Sequence, residues 1–174
     1  MESKQKSFSL EELDPLELSK SAQKKITETK DTGERLKVLQ SLAKLDALWT
    51  QNVLLDALAD SHEEIRNYIV QQLAQKENLD LNLLYSRLSK PPWYIKTEIL
   101  KILGILKNPH SAKHIEVVLN ESNDEVRRTA AAVLGNIGGE FARSLLVKLT
   151  RDQNPFVRKA AEKSLNETST LKFL

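Results

Sequence analysis

The chain has 174 residues, with 26 Lys plus Arg against 24 Asp plus Glu, a formal net charge of +2 and no cysteine. That length can bury a core without a disulfide or metal staple, and the missing thiols exclude thiolate zinc sites, iron–sulfur ligation and a cysteine nucleophile. A pI of 8.7 on so balanced a charge falls short of a dedicated nucleic-acid binder, and no window approaches the roughly 18 apolar residues of a membrane span.

Five Gly and five Pro cannot supply the turns of a sandwich or barrel, while Leu, Lys, Glu, Gln and Ala favour helix, so an all-α fold is expected. Residues 1–8 are polar, without the apolar run or small-residue cleavage site of a signal peptide; a disordered segment and a cytoplasmic protein are expected. Ser9-Leu10-Glu11-Glu12 reads as a capping box, and Asp14-Pro15 supplies an N-cap followed by a first-turn proline, within a first helix over Leu10–Thr27.

From there the chain repeats. GERLKVLQSLA is centred on Arg35, HEEIRNYIVQQLA on Arg66, WYIKTEILKILG on Lys96, DEVRRTAAAVLG on Arg127 and PFVRKAAEKSL on Arg158, at spacings of 30 or 31 residues. Each anchor is followed seven residues on by Leu42, Leu73, Leu103, Leu134 or Leu165, and three residues on by Val38, Ile69, Ile99, Ala130 or Ala161. Ile65, Ile95, Val126 and Val157 precede four of the five. Between anchors a second helix is expected over Asp46–Leu58, Leu79–Leu88, Ser111–Leu119 and Glu140–Leu149, separated by Lys90-Pro91-Pro92, Asn108-Pro109, Gly138-Gly139 and Asn154-Pro155. One such helix A–turn–helix B unit cannot bury its own apolar stripe, so neighbouring units must stack on a shared core. The units fall at about 9–45, 46–76, 77–107, 108–138 and 139–165, within a domain over 9–165. A tail over 166–174 ends on Leu171, Phe173 and Leu174 and is expected to fold back as a cap.

The pattern acid-x-x-x-x-[VI]-[RK]-x-x-[AVI]-x-x-x-L resembles the HEAT and HEAT-like (PBS-lyase-type) repeats over residues 34–165. The resemblance implies a right-handed α-solenoid of about five antiparallel helix pairs. It also implies a ladder between successive repeats, built from the helix B arginine and the acid six residues before it: Arg66 with Asp60, Arg127 with Glu121, Arg158 with Asp152. The ladder acid is replaced by Lys90 ahead of the Lys96 anchor, where two cations cannot pair, so another partner is needed there. The first unit departs as well, with Thr29 for the acid and Glu34 for an apolar residue, as a terminal unit would.

In such solenoids the B helices line the concave surface. Helical spacing turns the first, fifth and ninth positions after each anchor outward: Gln40, Lys44, Asn67, Gln71, Gln75, Thr97, Lys101, Ile105, Arg128, Ala132, Asn136, Lys159, Lys163 and Glu167. The acids concentrate instead in the N-terminal segment and on A helices (Asp46, Asp56, Glu77, Asp80, Glu116). The near-neutral total therefore divides into a polar, mildly basic B face and a more acidic A side. The expected function is a non-catalytic scaffold or adaptor, a monomer that grips an acidic or polar protein segment through Asn67, Gln71, Lys101, Arg128, Lys159 and Lys163.

No cofactor, metal or catalytic residue is expected. His110 and His114 lie four apart on a predicted A helix, but no third ligand completes a metal site. The HEAT-like deoxyhypusine hydroxylases hold two irons with repeated His-Glu dyads. Here the single dyad His62-Glu63 precedes its anchor, and the matching positions are Pro92, Asn123 and Asn154. The HEAT-like alkylpurine DNA glycosylases, an alternative reading, cradle DNA in a basic, aromatic concave face. Trp93 and Tyr94 precede Lys96, where packing between repeats is expected to bury them, and the B face has few cations to neutralise phosphates. A HEAT-like lyase or helper acting on a modified protein is the remaining alternative.

Overall fold

In the computed structural model, residues 14–90 and 92–170 are described, with side chains to residue 167; the capping box, the 1–8 segment and Leu171–Leu174 lie outside them. The described residues form an all-α solenoid of paired helices. Helix α1 (Pro15–Glu28) pairs with α2 (Thr32–Ala43), α3 (Leu48–Asp56) with α4 (Glu63–Ala74), and α5 (Leu81–Leu88) with α6 (Trp93–Leu106). Helix α7 (Ser111–Ile115) pairs with α8 (Asp124–Ile137), and α9 (Gly139–Leu149) with α10 (Pro155–Thr170). Helices α3 and α7 each end in a 3-10 turn, Ala57–Ala59 and Glu116–Val118. The even-numbered B helices pack each on the next, and the A helices close the other side of the core.

Local chemistry sets the boundaries. Asp14, Asp31, Asp80 and Asn123 each accept a hydrogen bond from a first-turn N–H of the helix they precede. The α8–α9 turn needs two residues at positive φ, 69° and 87°, which Gly138 and Gly139 provide without a Cβ clash. Helix α10 runs to Thr170, five residues past the Leu165 at which the sequence reading ended the last repeat.

The B helices approach closely because the eighth position after the anchor is small. A Cβ on Gly104 would lie 3.1 Å from Val133 Cγ2, and one on Gly135 only 2.6 Å from Ser164 Cβ. The fourth and eighth positions are Val70 and Ala74, Leu100 and Gly104, and Ala131 and Gly135 on the inner helices; on α10 they are Glu162 and Asn166. The outer flank of α10 is thus polar where its predecessors seat another helix.

The anchors fix the register of this stack. In each of four repeats the guanidinium Nη1 donates to main-chain carbonyls six and five residues upstream. Arg35 reaches Thr29 O and Lys30 O, Arg66 reaches Asp60 O and Ser61 O, Arg127 reaches Glu121 O and Ser122 O, and Arg158 reaches Asp152 O and Gln153 O, at 2.6–3.1 Å. The cation's other face crosses to the acid of the following repeat: Arg35 to Asp60 (2.9 and 3.3 Å), Lys96 to Glu121, and Arg127 to both oxygens of Asp152 (2.8 and 3.0 Å). An anchor therefore takes the backbone of its own acid position and the side chain of the next one. Arg35 joins the ladder despite Thr29, because the contact within its own repeat uses only a carbonyl.

The vacant rung also differs from the sequence expectation. Lys96 is paired with Glu121; it is Arg66 whose following repeat carries Lys90 at the acid position, and it turns instead to Glu98 on α6 at 3.3 Å. His62 joins the first rung, its Nδ1 lying 2.9 Å from Arg35 Nη2 and 3.1 Å from Asp60 Oδ1. Burial would raise the Asp60 pKa, but hydrogen bonds from Arg35 and His62 hold it below the usual carboxylate value. The Arg127 fork does the same for Asp152 against the opposing effect of burial.

Arg127 and Asp152 expose only 5% and 8% of their side chains, so removing one strands the other. Arg127→Ala should cost about 3–5 kcal/mol in urea unfolding, whereas Arg158→Ala, which gives up two carbonyl hydrogen bonds and a weaker attraction to Asp152, should cost less, about 1–2 kcal/mol. Both acids are depressed, so their contribution is complete above the unfolded carboxylate value of about 4 and drains as pH falls through their lowered values. Asp152→Asn should accordingly lower the melting temperature at pH 7 and flatten its decline between about pH 5 and pH 2; a parallel acid profile would show that the rung contributes nothing.

Candidate functional site

The stacking leaves the solvent-facing stripe of α4, α6 and α8 open as a groove of about 620 Å³. Val70, Gly104, Ala132 and Val133 line it with apolar surface, and the small residue at 104 deepens it where α6 and α8 approach. Asn67 and Gln71 stand on the α4 side, Asn136 on the α8 side, and Lys101, Ile105 and Lys107 come from α6 and its end. No acidic residue lines it. Among the described residues, the side-chain amides of Asn67, Gln71 and Asn136 bond to no other protein group.

The groove's charge is organised from beneath. Glu98, with 6% of its side chain exposed, takes Lys101 Nζ on both oxygens (3.1 and 2.9 Å) and Arg66 Nε on one. Lys107 occupies the left-handed region at φ 50°, ψ 31°, closing α6 through its N–H to Leu103 O. Glycine is the usual residue at such a helix end.

Of the six residues singled out in the sequence, the structure brings together Asn67, Gln71 and Lys101. Arg128 lies apart, its guanidinium forked onto Glu125 (2.9 and 2.7 Å), beside a smaller hollow of about 220 Å³ shared with Asp124, Asn154, Phe156 and Val157. Lys159 is exposed, and Lys163 faces Glu167 at 3.7 Å, both on α10. Lys107 was not among the six, since it falls after the last core leucine of its helix. Its position between Leu106 and the Asn108-Pro109 turn was the available signal.

Three expectations about the surface change. Thr97 is buried, its hydroxyl donating to Tyr94 O, whereas the equivalent Asn67 and Arg128 are exposed. Trp93 and Tyr94 are not core: they are 45% and 41% exposed at the start of α6, with rings edge to face at 6.0 Å. The acidic A side is partly paired across repeats, with Asp56 bound to Arg87 (2.7 Å) and Glu116 to Lys148 (2.8 Å), while Asp46 accepts a hydrogen bond from the Asn78 amide (2.8 Å).

His110 precedes α7, while the His114 ring stacks on Tyr85 at 3.7 Å, so the two are not poised as a chelating pair. Among the described residues no three His, Asp or Glu gather as a metal site, and no helix is long and apolar enough to cross a membrane.

Comparison with known proteins gives a match to the family model of HEAT repeats over residues 51–132 and again over 112–172. No curated protein matches the chain. Among solved structures, the crystal structure of an engineered protein from the Northeast Structural Genomics Consortium aligns at 18% identity and TM-score 0.48, over 87% of this chain and 79% of that one.

Proposed function

The chain belongs to the HEAT repeat family, and on that premise we propose that it is a non-catalytic scaffold that grips a protein partner along its B-helix face. One observation carries this reading. The face holds a groove in which, among the described residues, the side-chain amides of Asn67, Gln71 and Asn136 bond to no other protein group, while Asp56 and Glu116 on the A side are paired with cations of the next repeat. Exposed amides and cations over an apolar floor are the composition of a recognition surface: the floor supplies burial and the polar groups supply selectivity.

The partner is an acidic or polar protein segment. Asn67, Gln71 and Lys101 contact it in the groove, and Arg128, Lys159 and Lys163 extend the basic character toward α10. The side chains of Lys101, Arg128 and Lys163 are 46%, 51% and 75% exposed, so each can reach a partner from its place beside a carboxylate of its own helix.

Replacing Lys101, Arg128, Lys159 and Lys163 together with Glu should abolish capture of the native partner from its own lysate. Circular dichroism should report the same helical fold, and the matching quadruple Gln variant, which places no new carboxylate beside the buried Glu98, should weaken capture in the same direction with little change in melting. Undiminished capture by this variant would sink the reading.

A further inference from the structure

Resting on that reading, we propose that the α4–α6–α8 groove receives a short extended peptide, held through its main chain by Asn67, Gln71 and Asn136 and through one Asp or Glu side chain by Lys101 and Lys107. The amides define the conformation of the occupant. A primary amide offers a donor and an acceptor side by side, which is the complement of a peptide unit. A helix has already spent its backbone groups internally, whereas an extended segment presents an N–H and a C=O at every residue. Three otherwise unengaged amides, on the two helices that flank α6, fit the second kind of ligand. Neighbouring helix axes lie about 8–10 Å apart, so the path from α4 to α8 is roughly 16–20 Å, or about five to six extended residues.

Charge fixes the side-chain requirement. Arg66, Lys101 and Lys107 against the buried Glu98 leave a net +2 at the groove, with no acid in its lining. Glu98 holds Lys101 in place, so a guest carboxylate meets a cation already oriented. Lys107 is the second observation. A β-carbon at φ 50° is disfavoured by sterics that glycine escapes, yet this position carries a long cation directed to the groove. Strain kept at a surface position is accounted for when the side chain has a use.

The test begins with selection of a displayed random heptapeptide library on the full chain, followed by affinity measurement with fluorescein-labelled synthetic copies. Enriched peptides should carry an Asp or Glu. They should lose about tenfold or more in affinity on Lys101→Ala/Lys107→Ala, on Asn67→Ala/Gln71→Ala/Asn136→Ala, and on N-methylation of the backbone next to the acid, a loss of about 1.4 kcal/mol or more for each change. Lys107→Gly separates use from architecture: it should raise the melting temperature while weakening the peptide about tenfold. Unchanged affinity in that variant, enrichment of peptides without an acid, a peptide helical when bound, a second copy of the chain seated there, or no enrichment over the triple amide variant would each overturn the proposal. Lys113→Ala, an exposed cation on the A helix α7 away from the groove, should leave the peptide unaffected. If the peptide fails these tests while the charge-reversed chain still loses its native partner, the groove proposal falls and the wider B-face reading stands; if partner capture also survives charge reversal, both fall.

Discussion

The structure depends on a cation set between two repeats. Each helix B anchor enters a partly buried position that would be costly to leave uncompensated. At Arg35, Arg66 and Arg127 the fold meets that cost twice over, with loop carbonyls on one side and a carboxylate of the next repeat on the other. Because Arg127 donates to Glu121 O and Ser122 O while gripping Asp152, it fixes the loop of its own unit and the distance to the next in one contact. Apolar packing between B helices is non-directional; the ladder is what gives the stack a register. The same carboxylates are held below their usual pKa by those cations, so the register is electrostatically reinforced at neutral pH.

A stack held in this way has consequences for its surfaces. Small residues at 104 and 135 let the B helices close together, and that closeness leaves little room for large side chains along the line of contact. The amides of Asn67, Gln71 and Asn136 flanking it are left facing outward, where nothing among the described residues competes for them. On the A side, one-repeat spacing instead puts Asp56 opposite Arg87 and Glu116 opposite Lys148, so that surface pairs with itself. The two sides therefore differ less in net charge than in whether their polar groups are already occupied. A rigid frame with unoccupied groups on one side meets the general requirement for binding without a large ordering cost.

Much of this was legible in the residues, and the failures are instructive. The anchors, the leucines seven residues on and the Gly138-Gly139 turn follow from periodicity and backbone rules, because each depends on one helix or one turn at a time. Thr97 and the Trp93-Tyr94 pair do not. Their burial depends on how far a neighbouring helix overlaps each end of α6, and no single-helix pattern encodes that overlap. The ladder was half visible. The spacing of Asp60, Glu121 and Asp152 could be read, but which anchor each serves is a contact 25 residues back along the chain. Arg128 illustrates the remaining gap, since outward position did not reveal that Glu125, three residues earlier, engages it.

The irregular rung joins these strands of argument. Elsewhere an anchor finds its acid in the next loop, away from the helix faces. Lys90 removes that acid for Arg66, and the substitute is Glu98, which sits within α6. A carboxylate in a helix interior position can reach two faces at once, and Glu98 does so, taking Arg66 from α4 and Lys101 from its own helix. The break in the repeat pattern thus moves one negative charge from a loop to the base of the groove. There it both closes the stack and orients a groove cation. Departures from a regular pattern are where function is expected to leave its mark, since an ideal repeat would need no such detour. In this chain the least regular junction, between α4 and α6, lies under the surface whose polar groups the fold leaves unused.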